Sequence, residues 1–324
     1  MIGFNAVVRM AIVGLIIGLA GSVAAQQTYP NKPIRIIVPF PPGGSNDVVG
    51  RTLAQKLAES LGVQTLLENR GGGNAIIGTD VLAKSPPDGY TIMVTSITTH
   101  IITPLLMHTP YDALKDFAPV STIDSSESII VIHPSVPANT LQEFIALAKS
   151  KPGQLNYGTS TTSGVVMTAS FCIRAGISMQ HIPYKGAGPV LTDLMGGQIQ
   201  MFFSTPSSMV AFVKGGKLRA IAVTGETRLP ALPNVPTLTE SGIPNFDMKG
   251  FRGVLAPLGT PKPIIDKLSA AINKILIMPD VREKLASQGM DPFILTPEQF
   301  AARMRSDTAK YAQVIKAANI KLEN

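Results

Sequence analysis

Cysteine is nearly absent from this sequence: Cys172 stands alone among 324 residues. A lone thiol excludes an internal disulfide, so burial of apolar surface has to supply the stability. Charged residues make up 15% of the chain against 45% hydrophobic, a balance that excludes intrinsic disorder. Collagen-like and coiled-coil repeats are missing. Long apolar runs are scarce as well. One, Met10 to Ala20, follows Arg9 and gives way to small residues ending Val23-Ala24-Ala25. It is shorter than the roughly 18–20 residues that span a bilayer, and no second such run follows. A basic start, a short apolar centre and a small-residue exit describe a cleaved signal peptide, residues 1–25, with the mature chain beginning at Gln26 in the periplasm. The alternative for this segment is a buried N-terminal helix.

Aromatic residues amount to 6%, and Lys and Arg are scattered rather than gathered into a stripe. The net charge of +7, or +6 once Arg9 is removed, therefore points away from nucleic acid and at most assists the encounter with an anion. Signatures of catalysis fail one by one. Gly73 and Gly78 have Walker-like spacing, but Thr79-Asp80 follows where Lys and Ser/Thr are required. Gly186-Ala187-Gly188 lacks the third glycine of a dinucleotide loop, and no Gly-x-Ser-x-Gly elbow exists. His100, His108, His133 and His181 never form His-Glu-x-x-His, and one cysteine leaves no zinc spacing. No metal and no cofactor are expected, and the four histidines read as surface or core residues.

What is present is alternation. Ile34 to Val38 is a β-branched run suited to a buried parallel strand, and a glycine-rich turn follows it. Val49, Leu53, Leu57 and Leu61 then recur at helical spacing, with Gly62 as the C-terminal glycine. Val63 to Leu67 and Thr91 to Thr95 read as further strands, with a helix over Ala75 to Lys84 between them. This is the pattern of a doubly wound parallel sheet. A second series begins at Ile129 to His133 and passes to a helix opened by Thr140 and Glu143 as a capping box. It continues through strands at Leu155 to Gly158, Gln200 to Phe203 and Arg219 to Val223, and through helices near Val165 to Ala175, Pro189 to Met195 and Ser207 to Lys214. After a strand at Phe251 to Ala256 come helices over Pro263 to Ile277 and Asp280 to Gln288. A last helix is capped by Thr296, with Pro297 first and Gln299 completing the box. Returning these helices to the first sheet gives two lobes joined by crossings near Thr122 to Ser126 and Lys249 to Gly253. Residues 26–124 and 250–324 then form lobe 1, and residues 125–249 form lobe 2.

Two loops carry candidate chemistry. Pro39 to Asp47 joins the end of a strand to a helix start, where α/β sheets bind ligands. Its glycines admit close backbone approach, and first-turn amides grip anions; read blandly, it is a tight turn with Asp47 on the helix dipole. Tyr157 to Gly164 is a second strand-to-helix loop, whose hydroxyls and amides suit a carboxylate or a sugar, or simply face solvent. With one loop per lobe, both helix N-termini would point into one cleft and select anions.

Several motifs fall in one order: Pro39-Phe-Pro-Pro-Gly-Gly-Ser-Asn-Asp47, Glu68-Asn69-Arg70, Pro87-Asp88-Gly89-Tyr90, Tyr111-Asp112 before Lys115-Asp116-Phe117, Pro183-Tyr184-Lys185-Gly186 and Asn234-Val235-Pro236-Thr237. Over nearly the whole mature chain the sequence resembles the Bug family, the solute receptors of tripartite tricarboxylate transporters. That resemblance implies an α/β periplasmic-binding-protein type II fold, two doubly wound sheets joined by two hinge crossings. It also implies a monomeric receptor for a small organic carboxylate or amino acid that works with transporter subunits in the membrane. Carried over by position, the first-lobe contacts are Phe40, Pro41, Gly43, Gly44 and Ser45, with Asp47 bracing the loop. The second-lobe contacts are Thr159, Ser160 and Ser163. This chain has Val165 and Ala169 where many relatives carry His and Glu, and Ser204 where many carry Asp; these departures bear on the ligand more than on the fold. Arg252, in the second crossing, either pairs with a ligand carboxylate or is held by a protein carboxylate such as Asp124 or Glu127. A receptor that presents its ligand to a sensor protein, or an enzyme built on the same fold, are the competing readings.

Overall fold

A computed structural model describes residues 29–246, 248–287 and 290–320. The expected signal peptide lies outside them. In chain order, β1 (Ile34–Val38), α1 (Ser45–Leu61), β2 (Thr65–Asn69), α2 (Ile76–Ala83) and β3 (Thr91–Ser96) lead to a wide π-type turn at Thr98–Ile102 and the short α3 (Thr103–Leu106). Then come β4 (Phe117–Ser126), β5 (Ile129–Ile132), α4 (Leu141–Ser150), β6 (Asn156–Thr159), α5 (Thr162–Ala175), β7 (Gln180–Pro183), α6 (Ala187–Met195), β8 (Met201–Ser204), α7 (Pro206–Lys214) and β9 (Arg219–Val223). The chain returns through β10 (Gly250–Pro257), α8 (Lys262–Leu276), α9 (Pro279–Ser287), β11 (Met290–Pro292) and α10 (Pro297–Ala317).

These strands form a six-stranded sheet, β11-β4-β10-β3-β1-β2, and a five-stranded sheet, β7-β6-β8-β5-β9. Neither is purely parallel, which departs from the expected all-parallel layout. β10 runs antiparallel to β3 and β4, and β5 runs antiparallel to β8 and β9. The cause is connectivity. A strand arriving from the other sheet starts at the end where βα-linked strands finish, so it must run against them. β4 lies outside the expected strands, which leave only a crossing near Thr122 to Ser126, and it contains Pro119. The proline is tolerated beside an irregularity in the register between Val254 and Leu255.

Ile34, Ile36, Ile37 and Val38 are all fully buried, which explains why β1 shows no polar alternation. α8 packs on α1 and β4, while α10 lies on β4, the 98–102 turn and α5. One apolar cluster therefore joins Ile37 and Met93 of the larger sheet to Ile130 and Phe203 of the smaller one through Phe300 and Tyr311 of α10. Gly253 on β10 is required by that packing, since a Cβ there would stand 2.5 Å from Cζ of Phe300. The Thr296–Gln299 capping box forms on both sides. At α4 only half of one forms: Thr140 accepts from the Glu143 amide, but the Glu143 carboxylate takes the Asn139 N–H, one residue earlier than expected.

Candidate functional site

The first loop ends at Gly44, which opens α1 in an extended conformation (φ −83°, ψ 171°) and offers no side-chain cap. The amides of Ser45 and Asn46, in the first turn, have no intrahelical acceptor. Gly43 sits at φ +89°, the left-handed region that disfavours a side chain, and neither Gly43 nor Gly44 has another group within 4 Å of where a Cβ would lie. Backbone at this helix start is thus open to an incoming group.

Asp47 braces the loop. Its carboxylate, 4% exposed, accepts from the Gly43 N–H (2.9 Å), Asn69 Nδ2 (2.9 Å) and Arg51 Nε (3.0 Å). Asn69 also donates to the Phe40 carbonyl at 3.1 Å, so one amide ties both ends of the loop to β2. Burial by itself would raise the Asp47 pKa, but the hydrogen bonds from Arg51, the Gly43 amide and Asn69 outweigh it and hold the carboxyl below the usual range. Buried beside these groups, Asn46 Oδ1 makes no hydrogen bond among the described residues.

Arg252 is buried in β10, opposite Asp124 on one side and Ser96 on the other. Its Nε donates to Asp124 Oδ1 at 2.9 Å, Nη2 donates to Asp124 Oδ2, and Nη1 donates to Ser45 Oγ at 3.0 Å. Of the two alternatives open for this residue, the structure displays the protein carboxylate. The fork is occupied, and the remaining nitrogen holds the first residue of α1.

The second loop is built from hydroxyls. Thr161 caps α5 by accepting from the Gly164 amide (3.1 Å) and lies 3.0 Å from Ser163 Oγ. Ser163 Oγ in turn accepts from Thr98 Oγ1 (2.9 Å), and Thr162 lies 3.2 Å from Thr103 Oγ1. The turn after β3 and the start of α3 therefore meet the start of α5 through threonine and serine. Thr159 is 3% exposed, and its hydroxyl lies 2.6 Å from His181 Nε2, while the His181 ring stacks on Tyr157. Ser204 is buried at the end of β8, 3.4 Å from Ser208 Oγ. Ser160 is half-buried and forms no side-chain hydrogen bond with the described residues.

The expected contacts thus divide. Gly43, Gly44 and Ser45 sit together with Phe40, Pro41 and Asp47 in one loop. Thr159 and Ser163 have hydroxyls engaged by protein groups, and Ser204 stands at the end of β8, the strand beside β6. Asn46, Asn69, Arg51, Thr98 and Thr161 were missed. Asn69 lies in a motif already noticed, and Thr98 follows a strand on its C-terminal side, but neither position betrays its partner.

A family model described as "Tripartite tricarboxylate transporter family receptor" matches residues 49–320. Protein BugT of Bordetella pertussis is 36% identical over 320 residues, covering 97% of this chain and 98% of its own. Among solved structures, Rpa4515 of R. palustris with adipate superposes with a TM-score of 0.84 at 29% identity, over 90% of this chain and 99% of that one. MatC (Rpa3494) from Rhodopseudomonas palustris, with bound malate, superposes with a TM-score of 0.79 at 27% identity, over 89% and 100%.

Proposed function

Because the chain belongs to the family of tripartite tricarboxylate transporter receptors, we propose that it captures a small carboxylate-bearing solute between its sheets and delivers it to a tripartite tricarboxylate-type transporter. Its fold is of the periplasmic-binding-protein kind, in two sheets, and the family consists of periplasmic solute receptors. The observation that carries the reading is the start of α1. There the Ser45 and Asn46 amides, two open glycines and the positive end of a 17-residue helix converge, and Asp47 holds them from behind. A carboxylate gains hydrogen bonds and a favourable dipole at such a place without any ligand-facing cation.

In this assignment the Gly43 to Asn46 backbone grips the solute from lobe 1, flanked by Phe40 and Pro41. Ser160 meets it from lobe 2. Asp47 and Arg252 position the loop rather than touch the solute. Thr159, Ser163 and Ser204 shape the opposite wall. The protein acts as a monomer and releases its solute unaltered; the carboxylates of Asp47 and Asp124 near the loop are bound by Arg and Asn side chains. Adipate and malate, carried by the two structural relatives, are both dicarboxylates and make that class the first to try.

The test is a thermal-shift screen of mono-, di- and tricarboxylates and amino acids on the mature protein, followed by calorimetric titration and mass analysis of the recovered solute. A ligand that binds only the native state raises the Tm as it saturates. The expected result is a saturable shift with one or a few carboxylates and an unchanged mass. A screen in which no carboxylate moves the Tm, or in which the solute returns converted, would sink the proposal.

A further inference from the structure

Where the 98–102 turn and α3 meet the start of α5, polar side chains are buried: Thr98, Thr103 and Thr162 are 8%, 0% and 3% exposed. Thr98 Oγ1 lies 2.9 Å from Ser163 Oγ, and Thr103 Oγ1 lies 3.2 Å from Thr162 Oγ1. One partner of each pair follows β3 of the larger sheet, and the other follows β6 of the smaller one. Two hydroxyl pairs therefore cross from the elements of one sheet to those of the other.

The backbone on the β3 side of this contact is irregular. Thr98–Ile102 is a turn of π type, a wide geometry that is rare in proteins and frequent at functional sites. The Thr103 hydroxyl also donates to the Asn74 carbonyl at 3.2 Å. Asn74 and Ala75 both stand in the left-handed region, at φ +52° and +76°, where side chains are disfavoured and the surrounding structure has to hold them. Two irregular segments thus support the surface that faces α5.

α10 packs on α5 as well, and the apolar cluster that includes Phe300 and Tyr311 spans both sheets. Apolar contact is non-directional and tolerates small sliding of one surface on another. A hydroxyl pair weakens steeply with distance and angle, so it selects one separation. When the surfaces part, water replaces each partner, which keeps the net cost low and the contact reversible.

We propose that the pairs Thr98–Ser163 and Thr103–Thr162 form a latch that holds the two lobes at one separation and sets how often the solute-free receptor opens. The latch rests on the two-lobe arrangement proposed above and on no particular solute.

The test is the distance between two spin labels on the mature protein without solute. Leu66→Cys and Met195→Cys put the labels at sites 53% and 37% exposed, one in each lobe, and Cys172→Ser removes the natural thiol. Thr98→Val with Thr103→Val keeps the side-chain shapes and deletes both hydroxyls, and a population at longer separation should grow about tenfold. Ser163→Ala deletes the other half of one pair and should give about a threefold growth. Adding Thr98→Val to Ser163→Ala should change nothing more, because that contact is already gone. If the double valine variant fails to fold, Ser163→Ala and its combination with Thr98→Val carry the test. Thr52→Val deletes a buried hydroxyl that bonds within α1 to the Val48 carbonyl at 2.8 Å, and should leave the distances unchanged. Latch variants with unchanged distances, equal widening in Thr52→Val, or full additivity of Thr98→Val and Ser163→Ala would each overturn the proposal. Failure of the carboxylate screen bears on the proposed function alone, since the distances are read without solute.

Discussion

Arg252 and Asp124 face each other across the antiparallel strands β10 and β4 and form a two-pronged pair, with side chains 5% and 0% exposed. Since Arg252 Nη1 continues to Ser45 Oγ, this hinge pair also anchors the start of α1. Asp124→Asn leaves a buried guanidinium without its charge partner, and the unliganded protein should lose about 3–5 kcal/mol. Arg252→Lys keeps the charge but not the fork, and should lose about 1.5–3 kcal/mol with only a small fall in affinity. The double change Arg252→Met with Asp124→Leu should recover much of the stability. Denaturant melts of the unliganded forms, paired with calorimetric titration, check all three. Unchanged stability in Arg252→Lys with a large loss of affinity would instead give the guanidinium to the solute.

Gly44→Val separates binding from folding. Its φ of −83° suits any residue, and nothing lies within 4 Å of the added Cβ, so the Tm should hardly move. Affinity for an identified solute should fall at least about tenfold, because the side chain stands where backbone and ligand approach. Gly43 is a poorer test, as its left-handed φ strains any substitute by about 1–2 kcal/mol. Full affinity in Gly44→Val would reduce the loop to a turn.

Asp47 should make the loop acid-sensitive. Its folded pKa lies below the ordinary carboxylate value, so its stabilisation is complete above that ordinary value, about 3.9. It is lost as the pH falls through the lower, folded value. Asp47→Asn should therefore be destabilised at neutral pH, and the gap to the natural protein should narrow in acid. Denaturation midpoints of both forms from about pH 2 to 7 read the difference. A gap that widens in acid would contradict this account.

Protein recovered from the periplasm should begin at Gln26, by mass spectrometry of the intact chain. Recovery in the membrane with Met1 retained would overturn the export reading of residues 1–25.

Local chemistry was enough for the strand-loop-helix units. The β-branched run of β1, the leucine spacing and Gly62 of α1 and the Thr296–Gln299 box each act within a few residues and need no distant partner. Motif order carried the family and the two-sheet fold. Tertiary structure alone decided which polar groups remain for a ligand. A hydroxyl or guanidinium at a strand end looks the same in sequence whether it faces a solute or another side chain. Arg252 meets Asp124 from 128 positions away, Thr98 meets Ser163 from 65, and Thr159 meets His181 on the neighbouring strand. The antiparallel course of β10 was likewise hidden, because it follows from the chain entering the sheet from the hinge, and strand direction leaves no mark on composition or periodicity.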